Sequence, residues 1–291
     1  MNNCALKIEN LIKEYKDFTL ENASFEVTKG SIMGLIGQNG AGKTTIIKLI
    51  MNIIAKKNGT VSVYGLDNIE NEVAVKNLIG YVADDDYLVV GSNLSKYSKA
   101  FKNMFENWDQ ELFDELIKKW DLPLKKRFQT FSKGMKTKAM IALTLAHKPQ
   151  LLILDEPTAG LDPVARIEVL DMLREFVADG EKAVLFSTHI TGDLDKVADF
   201  VTMIINGEIK DSMSIDKMEE KYALITINTS DLEGKEDKLI GFRKGEMTTQ
   251  GLILRDDISN FPNADVSVPN IEQILVFNIF NHSNEKLEAK A

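Results

Sequence analysis

A chain of 291 residues, 44% apolar and 27% charged, can build one large domain or a domain with a small appendage. Its formal net charge of −9 argues against a nucleic-acid footprint, and its single cysteine, Cys4, excludes an internal disulfide and suits a reducing interior. No run approaches the roughly 20 apolar residues that cross a bilayer, and the first ten residues carry no basic-then-apolar leader pattern.

In chain order, the pattern predicts short strands over 6–12 and 18–27, then a buried strand over 31–36. Gly37-Gln38-Asn39-Gly40-Ala41-Gly42-Lys43-Thr44-Thr45 follows, and a periodic apolar stretch over 44–54 reads as a helix. GxxxxGK(S/T) between a strand and a helix is a phosphate-cradling loop. Small residues let backbone N–H groups converge on phosphate oxygens, and the helix N-terminus adds partial positive charge. Lys43 is then placed for the β- and γ-phosphates and Thr44 for Mg²⁺, so the bound molecule is expected to be a nucleotide.

Further along, 59–65 alternates like a half-exposed strand and 78–83 reads as a buried one. An acidic run follows, Asp84-Asp85-Asp86, of which Asp85 and Asp86 read as solvated loop acids. Leu112, Phe113, Leu116, Ile117 and Trp120 fall on one helix face, and 131–147 is helical up to Pro149. The apolar run 151–154 reads as a central parallel strand. A helix over 164–177, a strand over 183–187, a short helix over 194–198 and a strand over 200–205 complete an alternation that implies a parallel sheet covered on both faces. The section between Asp86 and Pro149 reads as an inserted helical subdomain. Beyond about 221, short strands over 223–228 and 252–254 stand among glycine-marked turns, and 271–280 fits a helix or a strand equally. The last residues, from Asn281, are polar.

The strand over 151–154 ends in Asp155 and Glu156. Asp155 is placed to hold Mg²⁺, directly or through water, and Glu156 to take a proton from attacking water.

With these residues in order, the chain resembles an ABC-type ATPase over about 5–220. Leu151-Leu152-Ile153-Leu154-Asp155-Glu156-Pro157-Thr158-Ala159-Gly160-Leu161-Asp162 looks like the Walker B motif and D-loop. Phe131-Ser132-Lys133-Gly134-Met135 resembles the signature motif, and His189 matches the switch histidine. The resemblance implies an α/β fold: a P-loop NTPase parallel-sheet core (1–220) with an antiparallel β subdomain, a helical subdomain over about 88–147, and a small C-terminal α+β extension (221–291). It also implies that Lys43, Glu156 and His189 act in hydrolysis, and that Ser132 and Gly134 meet the γ-phosphate held by a second ATP-binding subunit, an identical copy or a related chain. Tyr15 falls where the family stacks an aromatic on adenine, with Phe18 the alternative.

Two positions depart from the family. Asp84 stands where a glutamine commonly touches Mg²⁺ or the attacking water, and as a hard oxygen ligand it is counted with Thr44 and Asp155 as a metal ligand. Lys133 replaces a signature glycine, in a motif similar to those of cassettes for drug, bacteriocin and peptide-toxin exporters, including exporters of phenol-soluble modulins. The implied role is the ATP-hydrolysing subunit of an exporter, at the cytoplasmic face of the membrane against a separate permease of the ABC-2 type. The aromatics Phe101, Phe105, Trp108 and Phe113 either receive that permease or form core. The alternative is a soluble ABC ATPase of translation or DNA repair. A single cassette, no room for a coiled coil between Lys43 and Asp155, and the acidic balance all weigh against it.

Overall fold

The structure is a computed structural model that describes residues 3–84 and 92–288. Asp85 and Asp86 lie outside the described residues. The chain forms two compact units, Met1–Asp211 and Ser212–Ala291.

The first unit begins with two long strands, β1 (Cys4–Glu14) and β2 (Thr19–Thr28), paired antiparallel, followed by β3 (Ile32–Ile36) and helix α1 (Lys43–Ile50). Next come β4 (Asn58–Val63), β5 (Leu66–Asp67), α2 (Glu72–Leu78) and β6 (Ile79–Val82). Tyr64 and Gly65 both have positive φ, the left-handed pair that closes a tight hairpin between β4 and β5. Three helices follow: α3 (Leu94–Met104), α4 (Gln110–Lys119) and α5 (Lys133–Leu145). Each starts where a polar side chain satisfies a free backbone N–H: Asn93 accepts from Lys96, Asp109 from Leu112, and Ser132 from Met135. The aromatics of this section pack on one another. Phe101 lies against Phe105 and Trp108, Trp108 against fully buried Phe113, and Phe105 stacks on His147 at 4.1 Å.

The chain then alternates: β7 (Leu151–Asp155), α6 (Pro163–Val177), β8 (Ala183–Thr188), α7 (Leu194–Val197), β9 (Phe200–Ile205) and β10 (Glu208–Ser214). The sheet order is β5-β4-β1-β2-β10-β9-β3-β8-β7-β6. From β9 to β6 the neighbours β9/β3, β3/β8, β8/β7 and β7/β6 are parallel, and β3, β7 and β8 are buried at every position. Continuous apolar runs such as Leu151-Leu152-Ile153-Leu154 are what a strand covered on both faces requires. The register pairs Asp155 with Ser187 and Ile36 with Thr188, so the carboxyl ends of β3, β8 and β7 finish side by side. Ligands of open parallel sheets sit at that edge.

The second unit contains α8 (Ile215–Lys221), β11 (Tyr222–Asn228), α9 (Thr229–Leu232), β12 (Gly241–Lys244), β13 (Thr248–Leu254), β14 (Asp265–Ser267) and α10 (Ile271–Glu288). Its antiparallel sheet has the order β12-β13-β11-β14, and Ile225, Ile227, Leu232, Leu239, Ile253 and Phe261 build its core. The segment left open between helix and strand is the helix α10, with Ile271, Ile274, Leu275 and Phe277 buried. A Cβ on Gly241 would sit 2.0 Å from the Phe277 carbonyl oxygen, so only glycine lets β12 approach that helix.

Candidate active site

The loop between β3 and α1 wraps the buried Lys43 side chain, whose ammonium donates to the carbonyl oxygens of Gly37 at 2.8 Å and Gln38 at 3.3 Å. Glycine is required at both ends of the loop. A Cβ on Gly37 would lie 2.3 Å from the Ile204 carbonyl oxygen, and Gly42, at φ 118°, would push one to 2.9 Å from Phe18 Cζ. Asn39 and Gly40 are exposed at the crest, Ala41 is buried beneath it, and Thr44 and Thr45 open α1. The bare backbone and helix N-terminus make an anion cradle.

The neighbouring strand ends deliver the acids. Thr44 Oγ1 donates to Asp155 Oδ2 at 2.8 Å, and the Ser187 hydroxyl donates to the other Asp155 oxygen. Glu156 follows with φ 52°, a left-handed conformation unusual outside glycine and typical of functional turns. Its backbone N–H is fixed by Ser187, through both carbonyl oxygen and hydroxyl at 3.1 Å. Its carboxylate is divided between two partners: Lys43 Nζ lies 3.4 Å from Oε1, and His189 Nδ1 2.7 Å from Oε2, which also accepts from the His189 backbone N–H at 3.2 Å. The Glu156 side chain is 12% exposed and that of His189 48% exposed, so a half-solvated imidazole leads to a largely covered acid. An acid oriented in this way can accept a proton from a water placed above it.

The family model of the ABC transporter matches residues 20–159. The ABC transporter ATP-binding protein YxlF of Bacillus subtilis is 34% identical over 245 residues, 79% of this chain and 78% of that protein. The lantibiotic transport ATP-binding protein SrtF of Streptococcus pyogenes is 35% identical over 70% of this chain and 88% of its own length. A solved ATP-binding subunit of an ABC transporter superposes with TM-score 0.68 at 28% identity, covering 74% of this chain and 92% of that one. The chain belongs to the ABC transporter ATP-binding proteins. It is therefore an ATP-binding cassette and an ATPase.

Of the cassette's other sequence-predicted residues, Ser132 and Gly134 stand apart from this cluster, while Asp84 shares a cavity with its acids. Among the described residues, none of the cluster's bonds reaches Ser132 or Gly134. Ser132 is exposed at the start of α5, and a Cβ on Gly134 would meet Ala165 of α6 at 3.3 Å. Asp84 is exposed, with Lys133 Nζ 3.8 Å from its carboxylate, and both line a cavity of about 260 Å³ together with Asp155 and Glu156. Tyr15 is 46% exposed, its ring 6.3 Å from that of Phe18 and 5.2 Å from Lys13 Nζ; Phe18 is the aromatic beside Gly42. Sequence reasoning missed Ser187, the buried hydroxyl that orients both acids. Its only signal was a small polar residue at the end of a buried strand, just before Thr188 and His189.

Proposed function

We propose that this cassette powers export of a peptide or other small molecule through a separate membrane-spanning subunit of the ABC-2 type. The observation that carries the hydrolytic part of this reading is the Glu156 carboxylate held between Lys43 and His189 at the carboxyl end of the sheet. Lys43 and the backbone from Gly37 to Thr45 bind the β- and γ-phosphates of ATP, and Glu156 takes the proton of the attacking water. His189 holds the Glu156 carboxylate on one side and presents its exposed face toward the γ-phosphate. Tyr15 or Phe18 stacks on adenine.

The donor set suits Mg²⁺. Thr44 and Asp155 offer hard oxygens, and among the described residues no three His, Cys, Asp or Glu are grouped as a protein-only metal cage needs. Thr44 and Asp155 would hold the ion, with Asp84 the further candidate, and it would supply neutralisation of phosphate charge. Ser132, exposed on a helix N-terminus with Gly134 in the following turn, faces the γ-phosphate of a second ATP-binding subunit, and ATP drives the pair together.

No helix among the described residues is long and apolar enough to cross a membrane. The membrane-spanning subunit of this reading is a separate chain, on which the cassette docks peripherally. The direction of transport is proposed from the signature Phe131-Ser132-Lys133-Gly134-Met135, which resembles those of exporter cassettes, and from the C-terminal extension. The test is affinity purification of the full chain from native membranes. An integral membrane protein that co-purifies and raises ATP turnover when reconstituted is expected. Recovery with ribosomes or DNA instead would replace this reading with that of a soluble ABC ATPase.

A further inference from the structure

We infer that Asp193 is a positioning residue for hydrolysis, tying the turn after Glu156 to the turn after His189. Its side chain is fully buried, and both carboxylate oxygens are used: Oδ2 accepts from Thr158 Oγ1 at 2.6 Å, and Oδ1 from Arg166 Nε at 2.5 Å. Thr158, itself buried, belongs to the turn that opens at Glu156, where the Ala159 N–H donates to the Glu156 carbonyl oxygen. Asp193 closes the turn that follows His189, its N–H donating to the Ile190 carbonyl oxygen. Arg166 projects from the first turns of α6.

These contacts close a ring. Glu156 leads along the chain to Thr158, Thr158 crosses to Asp193, the chain leads back to His189, and His189 returns to Glu156 through the 2.7 Å contact. Two strand ends that differ in sequence position are thus fixed to each other twice, once at the reacting groups and once beneath them. A buried ion pair is weak evidence for stability, because desolvation offsets most of the Coulomb gain; what it fixes well is one conformation among several. Here the fixed quantity is the placement of imidazole relative to carboxylate. Arg166 neutralises the acid, so Thr158 is the contact that transmits position.

The proposal rests on the reading of Glu156 as the proton acceptor, and the experiment separates the two. In the full chain, Thr158→Val removes one hydrogen bond at nearly constant volume, and Thr158→Ser restores it. ATP turnover is measured beside the ¹⁵N imidazole resonances, which three histidines keep simple to assign. Thr158→Val is expected to lower kcat about tenfold with KM for ATP unchanged, on the scale of a displaced catalytic group. It is also expected to move the His189 resonance toward its position in Glu156→Gln, and Thr158→Ser should reverse both effects. Wild-type turnover in Thr158→Val, or slow turnover with the His189 resonance unmoved, overturns the inference. Asp193→Asn is read by the same two measurements if Thr158→Val does not fold. Wild-type turnover in Glu156→Gln would break the assignment of the base, while the resonance still judges the tie.

Discussion

Asp84 carries a negative charge into a cavity that already holds Asp155 and Glu156, with Lys133 Nζ 3.8 Å from its carboxylate and Lys136 also lining the cavity. Both members of that pair are about half exposed, so the contact is worth a fraction of a kcal/mol and gives way readily. A phosphate brought toward Asp84 would be repelled unless a cation stood between them. Asp84→Gln is therefore expected to keep or raise basal ATPase, whereas Asp84→Ala weakens the dependence on Mg²⁺. Hydrolysis measured against Mg²⁺ concentration checks both, and loss of most turnover in Asp84→Gln would contradict this account of the position. The residues that were legible in the sequence are those whose chemistry is written contiguously: Gly37 to Thr45 are one unbroken stretch from loop into helix, and Asp155 and Glu156 stand together at the end of one strand. Ser187 was not, because a serine at the end of an apolar strand says nothing until the parallel register sets it opposite Asp155.

At the scale of elements, His147, two residues past α5, is buried and stacked on Phe105, the residue after α3, and its Nδ1 has no hydrogen-bond partner among the described residues. Burial pushes its pKa down from 6.5 to about 4. A base with a folded pKa below its unfolded value takes its proton in the unfolded chain first. Stability is then full above pH 6.5 and falls as pH drops toward 4, by about 2 kcal/mol between pH 7 and 5 from this group. His147→Phe keeps the stack and loses no hydrogen bond at Nδ1, so urea midpoints of the variant should lose that part of the pH dependence. An equal decline in wild type and variant would place the acid sensitivity elsewhere.

Strong periodicity made the large helices and buried strands legible, while elements fixed by tertiary partners escaped. β10 (Glu-Ile-Lys-Asp-Ser-Met-Ser) has no apolar run, yet it lies inside the sheet between β9 and β2. Its signal was the turn Asn206-Gly207, both residues at positive φ, a strong short-range mark of a hairpin. The 271–280 segment is apolar enough for either state, and packing against β12 and β13 accompanies its choice of helix.

At the scale of the whole molecule, the division at Asp211/Ser212 gives the second unit its own sheet and core. We expect a chain ending at Lys221, which keeps all of β10 and α8, to fold and bind ATP. We propose, from the apolar 271–280 segment, that residues beyond 221 add contacts between two cassettes, so this truncated chain should pair less well. Unchanged pairing, measured by sedimentation with ATP, would rule that role out. The central claim is that Glu156 is the proton acceptor of an ATPase that works as a pair. Glu156→Gln leaves Lys43 and Asp155 in place to bind Mg-ATP and removes only the acceptor. Its turnover should fall by roughly 10² to 10⁴, and light scattering with ATP should report the mass of a closed dimer with ATP retained. Wild-type turnover by that variant, or a monomer with ATP bound, would contradict the account.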